Sequence, residues 1–284
     1  MMNEKIRKMT RNELLTAVDW AKKEGWNPGL NDADVFWKTD PDGFYALEKN
    51  GKMIGSISGV SYNGRFGFGG FFIIKPEYRK QRLGTRLAEY LIKTLISRLD
   101  EGASIGIDGV FNMQPTYEKW EFKFSHRNLR MESIARKHKH SSNVKEITEN
   151  DFEQILELDK ECFGFNRTTF LKALLSLPDS KSLKYVNERG LQGYGVIRKC
   201  VTGNKIGPLF VCNYEVAEEL FKGLAGSVAG ETVYLDIPEI NKNAVKLAEK
   251  YNMKEMFGCA RMYYGNAPKL PYEKIYGVST FELG

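Results

Sequence analysis

Residues 75–87 read KPEYRKQRLGTRL: five cations and a glycine set between an apolar run, FGFGGFFII, and a helix-periodic stretch, AEYLIKTLISRL. A strand-to-helix junction is a natural anion site. The first N–H groups of a helix have no intrahelical partner, and they stand at the positive end of its macrodipole. Gly84 lets the backbone approach a phosphate closely, while Arg79, Lys80, Arg82 and Arg86 supply field and direct contacts. Lys75 precedes the turn and reads as a solvated side chain.

The charge balance points to the same half of the chain. Residues 1–140 carry 24 Lys+Arg against 17 Asp+Glu, and the remaining 144 residues carry 18 against 19. No aromatic-basic stretch, zinc-finger spacing or concentrated basic helix accompanies the positive charge, so a small phosphorylated ligand is expected and nucleic acid is not. The four cysteines, Cys162, Cys200, Cys212 and Cys259, form no CxxC and read as reduced, small apolar residues. His126, His138 and His140 complete no metal or triad spacing, so no metal is expected. The longest near-apolar stretch, Phe66 to Ile74, is too short to span a bilayer, and the first residues lack a signal-peptide pattern. The expectation is a cytoplasmic protein with no membrane partner.

The elements around the junction follow from periodicity and turn chemistry. Three successive antiparallel strands are separated by Asn50-Gly51 and Asn63-Gly64, both strong hairpin signals. The basic turn, a helix to about Leu99, the strand SIGIDGV, a short helix QPTYEKW and two strands, EFKFSHRN and LRMESIA, come next. After a polar linker, RKHKHSSN, the same order of elements repeats. The fold class is α+β: two domains, residues 1–137 and 143–284, each a mixed, mostly antiparallel sheet flanked by helices, with a central parallel strand pair. A ligand is expected where that central pair ends.

The junction and the element order of the whole first half resemble the GNAT superfamily of acyl-CoA-dependent N-acetyltransferases, whose R/Q-x-x-G-x-G/A motif cradles the coenzyme A pyrophosphate. The frame that keeps Pro76 and Tyr78 matches Arg79 to the first position and Gly84 to the last, with Arg82 where the first glycine is usual. A site needing only an available N–H would accept Arg82 without a positive φ. The resemblance implies that Lys80, Gln81, Arg82, Leu83, Gly84 and Thr85 hold the pyrophosphate. It also implies that the backbone of Phe72, Ile73 and Ile74 pairs with the pantetheine arm, for which the glycines of this strand suit a bulge.

Acetyl transfer to an amine needs a neutral nucleophile, stabilisation of the oxyanion and a proton for the departing thiolate. The family's Y-x-x-x-G-F pattern falls on YEKWEF, which implies Tyr117 as the acid, with Phe122 in place and Glu121 replacing the glycine. Asn112 matches a coenzyme contact, and a helix cap is its other reading. The fourth strand carries no carboxylate, so a water-relayed base is expected, with Asp108 a candidate to orient the water and a turn cap as its alternative. Trp26, Asn27 and Asp32 lie in a loop that usually lines the acceptor pocket in this family, which implies acceptor contacts for them, with ordinary loop packing as the other reading.

The second half lacks both parts: PLFVCNYEVAEELF has no cradle motif, and Ala248 stands in the place of Tyr117. It reads as a degenerate GNAT-like domain that completes the acceptor cleft, mediates a homodimer or supports the first domain. Its tail, PYEKIYGVSTFELG, is expected to pack as a strand, crossing to the first domain. Together these readings describe an acetyl-CoA-dependent N-acetyltransferase acting on a small-molecule primary amine. A non-catalytic acyl-CoA sensor and a protein lysine or N-terminal acetyltransferase are the alternatives.

Overall fold

The computed structural model describes residues 4–284. In the first half β1 (Glu4–Lys8) leads into α1 (Arg11–Lys23), α2 (Asp32–Thr39), β2 (Phe44–Lys49), β3 (Lys52–Tyr62) and β4 (Phe66–Ile74). Then come α3 (Leu83–Ile96), β5 (Ser104–Val110), α4 (Gln114–Lys119) and β6 (Lys123–Ile134). The second half repeats this as β7 (Val144–Glu146), α5 (Phe152–Phe163), α6 (Thr168–Leu175), β8 (Ser180–Asn187), β9 (Gly190–Lys199) and β10 (Asn204–Val211). It continues with α7 (Tyr214–Gly226), β11 (Thr232–Pro238), α8 (Lys242–Lys250), β12 (Lys254–Tyr264) and a short extra strand, β13 (Ile275–Gly277).

Local chemistry accounts for the elements. A capping box between Thr10 and Glu13 starts α1, which buries Leu14, Ala17 and Ala21. Asn50, Gly51, Asn63 and Gly64 all have positive φ, as the two-residue hairpin turns require. The segments EFKFSHRN and LRMESIA, expected as two strands, form the single strand β6, because β11 and β12 pair across their join at Asn128 from either side.

All the strands belong to one sheet in the order β1-β2-β3-β4-β5-β12-β6-β11-β10-β9-β8-β7, with β13 attached to β10. The parallel pairs are β4–β5 and β10–β11. The order is symmetric about its centre, where each half contributes its last long strand to the other. Strand β12 lies between β5 and β6, and β6 pairs with β11 over seven residues from Asn128↔Pro238 to Ile134↔Thr232. The first half therefore closes its sheet with a strand from the second. One core cluster likewise mixes Leu14, Phe36, Phe44 and Phe68 with Phe170, Tyr194 and Phe210.

The exchange brings a set of buried ion pairs to the seam. Arg130 on β6 makes a bidentate pair with Asp236 on β11, at 2.7 Å for both bonds. Lys205 lies 3.9 Å from the same carboxylate. Arg198 on β9 donates to Asp32 on α2 at 2.8 Å. Burial would push Asp32 and Asp236 towards the neutral form, but the adjoining cations outweigh it and hold both below the ordinary carboxylate range.

Candidate active site

The cleft opens where β4 and β5 part. Their parallel pairing runs from Phe66↔Ser104 to Gly69↔Ile107 and then stops. Beyond Gly69 no strand of the described residues pairs with the β5-facing edge of β4, while its other edge stays paired to β3 through Ser56↔Ile73 and Gly55↔Ile74. The gap is a cavity of about 930 Å³, lined in part by Phe72, Ile73, Ile74, Asp108, Asn112 and Tyr117.

A bulge aims this edge. Between Ser58↔Gly70 and Ser56↔Ile73 strand β4 holds one residue more than β3, and Phe71 adopts φ 48°. A buried aromatic in the left-handed region is strained. It is held by Ser56 Oγ, which donates to the Phe71 carbonyl at 2.8 Å, and by edge-on packing of its ring against Phe36. The expected bulge is thus present, although the residue at positive φ is not one of the glycines.

At the basic junction, Arg79 and Lys80 line the cleft, and Gln81, Arg82, Leu83, Gly84 and Thr85 continue from its rim into the first turn of α3. Arg82 has φ 59° and Lys80 φ 63°. Arg82 therefore stands in the left-handed conformation a glycine would favour, contrary to the expectation that only an N–H is needed there. Among the described residues no side chain caps α3, which leaves its first N–H groups available. Gly84 sits against the ring of Phe72: a Cβ there would lie 3.1 Å from Phe72 Cζ. Three of the five cations are engaged elsewhere, Lys75 with Glu77 at 3.5 Å among them. Arg86 donates to Glu4 at 2.6 Å, and Arg79 pairs with Glu24 while its Nε holds the Ile74 carbonyl at 2.8 Å. Arg79 thereby ties the turn to the end of β4.

Tyr117 lies across the end of β5. A Cβ on Gly109 would meet its Cε2 at 2.1 Å, so only glycine lets the ring occupy this place. Burial, and to a lesser degree Cys259, push the phenol up to about 12, which keeps it protonated. Phe122 donates its N–H to the Tyr117 carbonyl at 3.1 Å, and Glu121 takes the left-handed conformation, φ 67°, in the place of the family's glycine. Asn112 lines the cleft and caps no helix.

Three expected positions are corrected. Asp108 borders the cleft, but its carboxylate accepts two bonds from Arg261 on β12, at 2.8 and 2.6 Å, and one from Asn128 at 2.8 Å. Held this way, it orders the β5–β12–β6 junction and is neither a turn cap nor an available base. Asn27 and Asp32 lie at the seam away from the cleft. Asn27 exchanges two hydrogen bonds with the Thr202 backbone, and Asp32 holds Arg198 and the Gly29 N–H. The loop docks on the β9–β10 turn, a contact no local pattern encodes. Of the three loop residues, Trp26 alone lines the cleft.

The remaining wall comes from the second half: Glu255, Met256, Phe257 and Gly258 of β12, and Phe281 and Glu282 of the tail. Arg130 lies behind it, its guanidinium 4.9 Å from the Phe281 ring and 5.7 Å from that of Phe257, donating to the Trp26 carbonyl at 2.6 Å. None of these wall residues belongs to a motif that sequence reasoning picks out. The one signal is an acid, Glu282, inside the otherwise uncharged C-terminal run IYGVSTFELG.

The second half has the same splay, and it is filled. Pairing of β10 with β11 ends at Ile206↔Leu235, and β13 enters the gap, opposing Leu209 and Phe210 of β10. Val278 donates to the Asp236 carbonyl on β11 at 2.8 Å. The first turn of α7 is capped by Asn213 through the Val216 N–H. The tail then crosses to the first half, where Tyr62 donates to the Leu283 carbonyl at 2.7 Å. The expected crossing occurs, although only Ile275–Gly277 is strand.

An open parallel-strand splay beside an uncapped basic helix start is suited to an acyl thioester with a phosphorylated carrier, and comparison with known proteins supports that class. Residues 11–122 match the acetyltransferase (GNAT) family and residues 155–277 the acetyltransferase (GNAT) domain. The chain belongs to the GNAT acetyltransferases and is an acyltransferase with two GNAT domains in tandem. Among curated proteins it is 28% identical to the holothin acyltransferase of Pseudoalteromonas sp. (strain SANK 73390), over 94% of this chain and 90% of that protein. A solved acetyltransferase candidate from Pyrococcus horikoshii shares the fold with TM-score 0.84 at 23% identity, covering 99% of this chain and 96% of that one. A tandem GNAT protein from the clavulanic acid biosynthesis pathway aligns with TM-score 0.65 at 10% identity, covering 94% and 100%.

Proposed function

We propose that the protein transfers an acetyl group from acetyl-CoA to the primary amine of a small-molecule acceptor by direct attack. The observation that carries this is the cleft itself. One wall offers an unpaired β4 edge, a helix start for phosphate and a protonated Tyr117, while the opposite wall sets Met256, Phe257 and Phe281 beside the carboxylates of Glu255 and Glu282. The free β4 backbone beyond Gly69 supplies N–H groups for the pantetheine amides and the developing oxyanion. Lys80 to Thr85 receive the pyrophosphate. The amine nitrogen attacks the thioester carbon and gives up a proton to a base, the C–S bond breaks, and the thiolate takes a proton from Tyr117, which solvent exchange restores.

The first domain alone binds acetyl-CoA in this reading. Strand β13 fills the corresponding gap of the second, which instead builds the acceptor wall. A walled cavity favours a small acceptor over a peptide, and one relative is named for acyl transfer to holothin. A thiol-release assay with acetyl-CoA against a panel of amines, amino acids and peptides tests it. Turnover of free amines is expected. Turnover of peptides alone would favour a protein acetyltransferase, and silence across the panel would favour an acyl-CoA sensor.

Gly84→Asp tests the cradle. Its carboxylate suits a helix N-terminus, and its Cβ, 3.1 Å from Phe72 Cζ, asks only a small shift of that ring, so the fold is expected to persist. The same charge opposes the pyrophosphate, and losing charge-assisted bonds of about 3 kcal/mol corresponds to roughly a hundredfold weaker binding. Undiminished acetyl-CoA affinity in titration calorimetry would remove the cradle from this account.

A further inference from the structure

Glu282 is a buried acid on the wall of the cleft. Its residue is 3% exposed, its Oε2 is buried without a hydrogen bond, and among the described residues its carboxylate makes no hydrogen bond or ion pair. Its backbone carbonyl lies against β4 so closely that a Cβ on Gly70 would come within 2.2 Å. Gly70 thus gives the tail its place beside the first residue of the free β4 edge. The tail is anchored on both sides of this point: Arg198 donates to the Ser279 carbonyl at 3.1 Å, and Arg167 to Ser279 Oγ at 2.7 Å and to the Gly284 carbonyl at 3.3 Å.

Cations are near Glu282, but each has another partner. Arg130 is paired with Asp236, Arg198 with Asp32, and Lys205 donates to the Asn27 carbonyl and lies near Asp236. Burial raises the Glu282 pKa most. Lys205, Arg130 and Arg198 oppose the rise, and Asp32 adds to it. The other carboxylates that line the cleft are each held by an arginine: Glu24 by Arg79, Asp108 by Arg261 and Glu255 by Arg127. Desolvating an unpaired carboxylate destabilises a fold, and such groups concentrate at functional sites.

We propose that Glu282, carried by the tail of the second domain, is the general base that takes the proton from the acceptor amine. The proposal rests on the acyl-transfer reading above and supplies the base that β4 lacks. As the nitrogen forms its bond to the thioester carbon, its N–H proton passes to Glu282. The C–S electron pair leaves with sulfur, which takes the Tyr117 proton, and solvent exchange returns both side chains to their starting states. The net reaction is amine plus thioester giving amide plus thiol.

The test compares wild type, Glu282→Gln and Glu282→Asp with acetyl-CoA and aniline, whose nitrogen is already neutral across the working pH range, so that an acid limb reports the enzyme. Glu282→Gln is expected to lower kcat/KM by about 10²–10⁴-fold and to abolish the acid limb. Glu282→Asp should keep the limb at a reduced rate, with CoA affinity within about twofold of wild type for both variants, a margin of only a few tenths of a kcal/mol. The folded-state pKa lies above that of the unfolded chain, so ionisation opposes folding at every pH above the unfolded value. Glu282→Gln should therefore raise Tm at neutral pH, whereas a carboxylate kept for structure would lower it on removal.

Near-wild-type turnover by Glu282→Gln overturns the proposal, as does an acid limb that survives the substitution. A parallel loss of CoA affinity and Tm would make Glu282 a tail anchor. If wild type acetylates neither aniline nor any other amine, the acyl-transfer reading falls together with the base; an active wild type with an equally active variant removes the base alone.

Discussion

Tyr117→Phe is expected to lower kcat for acetyl transfer by about 10²–10⁴-fold, the range for loss of a positioned general acid. The apparent KM for acetyl-CoA should stay near wild type. The change deletes one oxygen and keeps the ring, which packs at 6.0 Å from Trp120 and covers Gly109. Stability should therefore move little. Because burial pushes the Tyr117 phenol up to about 12, the wild-type rate should show no basic limb from this residue at pH 10 or below. Steady-state thiol-release kinetics across pH check both points, and an unchanged rate would end the acid role.

Asp236→Ala carries the largest expected cost in stability. It leaves Arg130, 1% exposed, and Lys205, 0% exposed, without their buried carboxylate. Stranding one partner of a buried pair destabilises by about 3–5 kcal/mol, whereas replacing Arg130 and Asp236 together by apolar residues of similar volume should cost less, because only Lys205 is then left without its carboxylate. Denaturant unfolding of the single and double variants separates the two outcomes. The pH dependence has a definite sign. The folded-state pKa of Asp236 is depressed below its unfolded value of about 3.9. Its contribution is thus fully present above about pH 4 and fades as pH falls towards the depressed folded value. Below about pH 4 the wild type should lose part of its advantage over Asp236→Ala. Because Arg130 also backs Phe257 and Phe281, the single variant should lose acceptor turnover more than acetyl-CoA affinity.

Features encoded by neighbouring residues are legible in the sequence itself. Asn-Gly pairs specify hairpin turns through their tolerance of positive φ, and the 75–87 segment marks a strand-to-helix junction because charge and glycine fall between two periodicities. The absence of a cradle and of a tyrosine in the second half is equally readable, since both are matters of residue type. The conformation of Arg82 is not, because a charged side chain carries no local sign of the left-handed backbone that its surroundings impose.

Contacts between distant segments are not legible. The loop holding Asn27 and Asp32 has no local feature that sends it to Thr202 and Arg198, at sequence separations of 175 and 166 residues. Asp108 can be read as a base or a cap, and Arg261, 153 residues away, decides against both. The exchange of β6 and β12 likewise depends on which partner completes the alternating faces of a shared sheet. Strand periodicity specifies that a partner is needed but not which one. From local order alone come two like units, one equipped with an anion site and a tyrosine. Tertiary packing decides that the last strand and tail of the second unit wall the cleft of the first, that β13 closes the other cleft, and that Glu282 is left buried beside cations already paired elsewhere. The reason is physical: desolvation and ion pairing depend on distances through space, and the sequence records only distances along the chain.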